Sequence, residues 1–212
     1  MATSTANRLT IQHRSYFDRL APSWDDGHTP GELACLRDIV ADLDIETGSS
    51  VLDIGSGTGV LVPFLLEAVG DRGKVIALDF SRGMLEQAKA RGFGPWVDFL
   101  QADVAAIPLA EDLVDIAICS NTFPHFGDQA GTLREIAMVV RAGGRVVICH
   151  TMSRGAINQF HRSVGGVVGA DLLPDEVRMG EMVRDASLAI TRLEDCSRRY
   201  LLIARRLVQT PG

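Results

Sequence analysis

VLDIGSGTG, residues 51–59, places glycines at 55, 57 and 59 directly after a short apolar run that contains Asp53. Glycine lets the backbone come close to a ligand, and the helix expected next turns free N–H groups toward whatever sits there. The plain alternative is a tight strand-to-helix turn with no ligand. A dinucleotide fingerprint is G-x-G-x-x-G, whereas position 60 here is Val, so the spacing is one residue short. The G-K-[ST] ending of a phosphate-binding loop is also missing.

On both sides of this loop, strand and helix alternate. Ser50–Ile54 reads as a strand, Val60–Val69 as a helix and Lys74–Leu78 as a second strand. Ser81 suits the N-cap of a helix running to Arg91. Val97–Leu100, Leu113–Cys119 and Arg145–His150 read as further strands, the second apolar throughout except for Asp115. A helix over Thr132–Val140 is expected to end at the glycines of RAGG, 141–144. Upstream, 14–20 and 30–43 read as short helices around the turn-rich APSWDDGHTP. Downstream, a helix over Pro174–Ser187 precedes strands at Ala189–Glu194 and Arg199–Arg206.

Strands that are apolar on both faces and separated by helices imply a parallel sheet covered on both sides. The expected fold is therefore α/β: a doubly wound, mostly parallel seven-stranded sheet with a C-terminal antiparallel strand pair. A single domain is expected over 1–212. It would comprise an N-terminal helical cap (1–46), a cofactor-binding half (47–152), a segment that reads as a lid or equally a linker (153–172), and a C-terminal helix and hairpin (173–212).

With 46% hydrophobic and 23% charged residues in 212, the chain suits one domain with a full core. Its net charge is −6, and its basic pairs, Arg198–Arg199 and Arg205–Arg206, read as solvated strand edges. No nucleic-acid partner is expected. Cys35, Cys119, Cys149 and Cys196 show no C-x-x-C spacing, which is the usage of reduced thiols. Neither an apolar leader nor a membrane span is read, so a soluble cytoplasmic protein is expected.

Two acids follow the next two strands. Asp79 closes VIALDF, about 20 residues past the glycines, where a carboxylate accepts ribose hydroxyls. The plain alternative is an acid at a helix N-terminus before Ser81. Asp103, in LQADVAAIPL, could accept from an adenine amino group beside the Val104 N–H, or stand in a solvated loop.

These pieces together resemble a known family. VLDIGSGTG, ALDF-S-x-x-M-L (77–85), ADVAAIPL (102–109), DLVDIAICSNTFPHF (112–126) and LREIAMVVRAGGRVVI (133–148) are similar to the class I S-adenosylmethionine-dependent methyltransferases. The likeness is to the small-molecule branch that includes ubiquinone and menaquinone biosynthesis enzymes. FDRLAPSWD (17–25) resembles that branch's F-D-x-x-A-x-x-Y-D helix, with Trp24 where Tyr is usual.

The resemblance implies S-adenosylmethionine as cofactor and a small-molecule acceptor. It assigns Asp53 and the backbone of Gly55, Ser56 and Gly57 to the methionine end, and Asp79 to the ribose. Phe80 and Met84 would lie on the adenine, although Met84 at helical spacing with Ala88 also suits plain core. Asp103 and Val104 would read the adenine edge, and the Ser120 carbonyl would meet the methionine amino group. Trp24 and Tyr16 would close the pocket.

Enzymes of this class that methylate nucleobase or glutamine nitrogens typically carry an acid or amide, two prolines and an aromatic after the fourth strand. Ser120-Asn121-Thr122-Phe123 stands there instead, which argues against those acceptors. Methyl transfer from a sulfonium needs alignment above all, and a base only where the acceptor must lose a proton. His125, His150 and His161 are the candidates for that catalytic role. If 153–164 is helical, Arg154, Asn158 and His161 share a polar face that would point back at His150. A satisfied surface histidine and a metal site are the other readings, with no metal expected. Two rivals remain at this point: a nicotinamide oxidoreductase and a non-catalytic cofactor-binding module.

Overall fold

The structure, a computed structural model, describes residues 5–208. Residues 1–4 and 209–212, the outer ends of the expected cap and hairpin, lie outside the described residues. The strands are β1 (Ser50–Ile54), β2 (Lys74–Asp79), β3 (Val97–Gln101), β4 (Val114–Ser120), β5 (Val140–His150), β6 (Leu188–Cys196) and β7 (Arg199–Arg206). They form one sheet in the order β3-β2-β1-β4-β5-β7-β6. Pairings from β3 across to β5 are parallel, and β7 runs antiparallel to both β5 and β6.

The chain leaves β1 toward β2 and β3, then returns to the other side of β1 for β4. The β1–β4 edge is thus the switch point where open α/β sheets hold ligands, at the carboxyl ends of the strands. Successive strand residues alternate between two cores. Val51, Ile116 and Ile118 face Leu36 and Ile39 of α2 (Pro30–Asp42) and Leu65 of α3 (Val62–Val69). Leu52, Ile54 and Ala117 face Leu133 and Ile136 of α5 (Gln129–Val139), with Ile157 of α6 (Arg154–Val164) and Met179 of α7 (Glu176–Asp185). A third, small cluster joins Phe17 of α1 (Thr5–Leu20) to Met84 of α4 (Arg82–Ala90) and to Val168. It seats the N-terminal elements over the carboxyl ends of the strands.

Several helix boundaries follow from capping. Thr29 and Glu32 form a reciprocal capping box at the start of α2, and Ser81 accepts the Met84 N–H at the start of α4. The α1 helix begins well before residue 14, because no Gly or Pro interrupts 5–20. RAGG does not terminate a helix as expected. The helix stops at Val139, Val140 already pairs with Val114, and 141–144 ride inside β5 where the register with β4 shifts.

That register is tied down by the one acid in β4. Asp115 Oδ2 accepts the Ser50 backbone N–H at 2.6 Å and the Ser50 hydroxyl at 3.0 Å, and its Oδ1 meets Arg141 at 2.7 Å. An acid in an otherwise apolar strand is thereby a clasp between the start of β1 and the irregular start of β5. Removing it strands a backbone donor. Asp115→Ala should lower stability by about 1–3 kcal/mol, read as a lower midpoint in thermal or urea unfolding, with Asp115→Asn recovering part of the loss.

Candidate active site

The glycine loop leaves β1 and is held against β2 by its own backbone. The N–H groups of Gly55 and Ser56 both donate to the Leu78 carbonyl, at 2.8 and 3.0 Å. The Gly57 N–H donates to Asp79 Oδ2 at 2.8 Å, while Asp79 Oδ1 accepts from the Ser81 N–H at 2.8 Å. Two glycines are sterically required. Gly55 has φ +66°, and a Cβ there would lie 2.2 Å from the Thr122 hydroxyl oxygen, so glycine lets the loop after β4 close on the loop after β1. Gly59, at φ +78°, would drive a Cβ to 2.9 Å from the Phe93 ring. The third glycine therefore serves packing rather than a ligand.

The N-terminal elements close the loop from above. Trp24 lies in a 3-10 segment, Ala21–Gly27, where a Cβ on Gly57 would be 3.9 Å from its indole nitrogen. Asp25 accepts from the Thr58 hydroxyl at 2.5 Å and pairs with Arg91. Asp18 accepts from the Ser81 hydroxyl at 2.6 Å and the Gly83 N–H at 2.9 Å. Beneath this cover is a cavity of about 860 Å³, within the usual range for small-molecule sites. Trp24, Asp53, Gly55, Ser56, Gly57, Asp79, Phe80, Met84, Asp103, Val104 and Ser120 all line it. Met84 is also a member of the Phe17 cluster, so it is core and cavity wall at once. Asp103 caps its own turn, accepting the Ala105 N–H at 3.0 Å.

The cavity floor is electrostatically unsettled. Asp53 is 1% exposed, and neither its Oδ2 nor the Ser56 hydroxyl has a hydrogen-bond partner among the described residues. Burial, and then the charge of Asp79, push the Asp53 carboxyl up to about 7. Burial lifts Asp79 to about 6, against the Ser81 and Gly57 N–H groups that favour its charge. His28 also lines the cavity, and its buried Nε2 has no partner among the described residues.

Of the three candidate histidines, only His125 reaches the cavity wall. It ends a 3-10 turn after β4, Phe123–His125, and its Nδ1–H donates to Asp171 Oδ2 at 2.7 Å. His13 of α1 donates to the same oxygen at 2.9 Å from Nε2, and both His13 and Asp171 line the cavity. Burial lowers the proton affinity of His125 more than the Asp171 carboxylate raises it. Burial alone would raise Asp171, but the hydrogen bonds from His125 and His13 outweigh it and hold it at about 2. The pair is therefore an ionised aspartate beside a neutral imidazole.

His150 and His161 do not line the cavity and lie behind His125. His150 is 3% exposed at the end of β5, pushed down to about 3 by burial and by the nearby His125 and His161 rings. His161 lies on α6 as expected, but its Nδ1–H is taken by the Asp171 carbonyl. Asn158 on the same face bonds the backbone of Leu173 in both directions, at 2.8 and 3.0 Å. The polar face of α6 thus holds the following segment instead of facing a ligand.

Residues 51–144 match the model of a methyltransferase domain. A demethylmenaquinone methyltransferase of Paenarthrobacter aurescens is 34% identical over 151 residues, covering 67% of this chain and 58% of the relative. A methyltransferase from Aquifex aeolicus described as SAM-dependent superimposes with a TM-score of 0.71 at 22% identity, over 92% of this chain and 98% of that one. Residues 51–144 thus match a methyltransferase domain, and the chain as a whole has the fold of that solved methyltransferase. Geranyl diphosphate C-methyltransferase from Streptomyces coelicolor, solved with S-adenosyl-L-homocysteine, shares the fold at a TM-score of 0.69 and 12% identity, over 82% of this chain and 79% of that one. The chain spans about half the length of the curated relatives it matches.

Around this cavity, sequence reasoning passed over His13, His28 and Asp171, all of which line it. None sits in a recognisable motif, and their approach to the cavity depends on how α1 and the 165–172 segment fold back over the sheet. Asp53 is buried, with no partner for its Oδ2 among the described residues. Its folded-state pKa lies above that of an exposed aspartate. Its contribution to stability is therefore complete below about 3.8 and lost as pH rises through about 7. In the ligand-free protein, Asp53→Asn should melt several degrees above wild type at pH 8, with the gap closing toward pH 5. Parallel melting curves with no pH-dependent gap would contradict this.

Proposed function

We propose that the chain is an S-adenosylmethionine-dependent methyltransferase that acts on a small-molecule acceptor. The observation that carries this is the buried Asp53 carboxylate beneath the glycine loop, whose Oδ2 has no partner among the described residues, with Asp79 at the end of the adjacent strand. Two acids suit a ligand bearing an ammonium group and a ribose. The diphosphate of a nicotinamide dinucleotide would bring negative charge to the same place, where low dielectric makes like charges costly. The packing role of Gly59 also leaves the loop without the glycine that a dinucleotide fingerprint needs at position 60.

In this assignment Asp53 and the backbone of Gly55, Ser56 and Gly57 hold the methionine end, and the Ser120 carbonyl accepts from its amino group. Each Asp79 oxygen already accepts one N–H and keeps a lone pair for a ribose hydroxyl. Phe80 and Met84 lie against the adenine, Asp103 and the Val104 N–H meet its edge, and Trp24 closes the pocket. The cofactor supplies a methyl group already activated on a sulfonium. The tasks of the chain are then to align the acceptor, exclude water and receive any proton, and His125 is placed for the last. We further propose that the protein works in the cytoplasm and without a nucleic-acid partner, in keeping with a net charge of −6. No helix among the described residues is long and apolar enough to cross a membrane.

Thermal-shift titration should show stabilisation by S-adenosylmethionine and S-adenosylhomocysteine but not by NAD or NADP. A response to NAD alone would overturn the assignment. Asp79→Ala should weaken S-adenosylhomocysteine by roughly 10–100-fold in calorimetry, the worth of a hydrogen bond to a charged group. Because an ammonium ligand favours ionised Asp53, affinity should rise between pH 5.5 and 7. Buffers of different ionisation enthalpy should then register proton release, which Asp53→Asn abolishes. Binding without any methyl release from a broad acceptor panel would mark a non-catalytic module.

A further inference from the structure

Asp171 belongs to no motif, yet a large part of the molecule converges on it. Its Oδ2 receives N–H groups from His125, on the turn after β4, and from His13 on α1. Its carbonyl accepts from His161, and its own N–H bonds the Val168 carbonyl at 3.0 Å. Gln129 donates to the Leu172 carbonyl at 3.0 Å, and Asn158 fixes Leu173. The backbone of 171–173 is held from several directions, and the Asp171 side chain, at 12% exposure, takes two imidazole N–H groups, so it is aimed rather than merely tolerated. The bond to Asp171 uses Nδ1 of His125, and His125 Nε2 carries no hydrogen bond among the described residues. The ring lies on the wall of the same cavity as the cofactor-side residues.

We propose that Asp171 is a positioning residue that fixes His125 as its Nδ1–H tautomer. His125 Nε2 then takes a proton from the weakly acidic O–H or C–H of a phenol, enol or comparable acceptor. This rests on the methyltransferase assignment above. The acceptor atom gives its proton to His125 Nε2 and an electron pair to the methyl carbon. The carbon–sulfur bond breaks with its pair left on sulfur, which passes from sulfonium to neutral thioether. The imidazolium so formed faces the negative charge of Asp171 until it releases its proton to water. A neutral amine needs no such base, and a thiol ionises near neutral pH unaided. A carboxylate-fixed imidazole therefore favours hydroxyl and carbon acids. The titratable groups around the His125 ring are Asp171, His13, His161 at 4.9 Å between ring centres, and His150. Phe17 covers its edge at 5.2 Å.

The test uses the full chain saturated with S-adenosylhomocysteine, then the active enzyme. Ring-nitrogen NMR, assigned with His125→Gln, should find His125 as the Nδ1–H tautomer in wild type. In D171N it should switch to Nε2–H, because an amide N–H can then point at Nδ1. With ring-substituted hydroquinones as acceptors, D171N should lose about 10²-fold or more in kcat, with S-adenosylhomocysteine affinity and KM held within about twofold. The deficit should shrink for the more acidic hydroquinones, and D171E should recover part of the rate. An Nε2–H tautomer in wild type overturns the proposal, and that readout stands even if D171N does not fold. A deficit independent of acceptor acidity, or methylation of thiophenol or aniline but of no hydroquinone, overturns it as well. Failure of wild type to bind S-adenosylhomocysteine instead removes the assignment on which the proposal rests.

Discussion

The hydrogen bond from the Gly57 N–H to Asp79 is the contact on which the cofactor side of the cavity depends. It fixes the crest of the glycine loop, at the end of β1, to the carboxylate that ends β2. The other oxygen of that carboxylate takes the Ser81 N–H, and the Ser81 hydroxyl donates to Asp18 of α1. One side chain thus joins the loop, the start of α4 and the N-terminal cover. A charged acceptor in a dry setting makes such bonds short and directional. The cost shows in Asp79 itself, which burial lifts to about 6 despite the backbone N–H groups of Ser81, Gly57 and Phe80. Asp53 carries a larger cost, with no donor on Oδ2 among the described residues. Natural sequences keep such a local penalty where a ligand relieves it.

The acceptor side is organised by a different carboxylate. Asp171 gathers His13 and His125, while α6 supplies His161 and Asn158 to hold the backbone on which Asp171 rides. This explains why α6 carries buried polar residues beside apolar Ile157. Each polar atom answers a main-chain group in the 171–173 segment that would otherwise be stranded away from water. His161 on this face still lies close enough to His150 to lower its proton affinity, but its Nδ1–H is spent on the Asp171 carbonyl. A helix followed by a glycine-rich stretch that folds back on it satisfies its polar face internally.

The sheet was legible because it is encoded locally. Ser50–Ile54 and Arg199–Arg206 are bounded as the residue pattern predicts, and the apolar runs at β2, β3 and β4 were shifted by a residue or so at their ends. Periodicity and turn residues decide such elements with little help from the rest of the chain. Asp53, Asp79 and Ser120 could be placed near the carboxyl ends of β1, β2 and β4 from strand order, and all three line the cavity. RAGG misled because glycines after a helix usually cap it, whereas here pairing of Val140 with Val114 took over first. His13 and Asp171 were illegible for a stronger reason. They are 158 residues apart, and only the folded positions of α1 and the 165–172 segment bring them to one oxygen.

The N-terminal helix is what makes these two carboxylate systems one site. Within α1, His13 touches Asp171, Phe17 packs between Trp24, Phe80 and His125, and Asp18 binds the start of α4. These residues span little more than one helical turn, so a rigid displacement of α1 would loosen both sides together. Had the cover been anchored only through Asp18 and Asp25, the acceptor side would open independently of the cofactor loop. The Asp171 bridge removes that independence, because leaving the Ser81–Asp18 contact also pulls His13 from the carboxylate that orients His125. Closure over the cofactor and alignment of His125 are in this way consequences of one packing event.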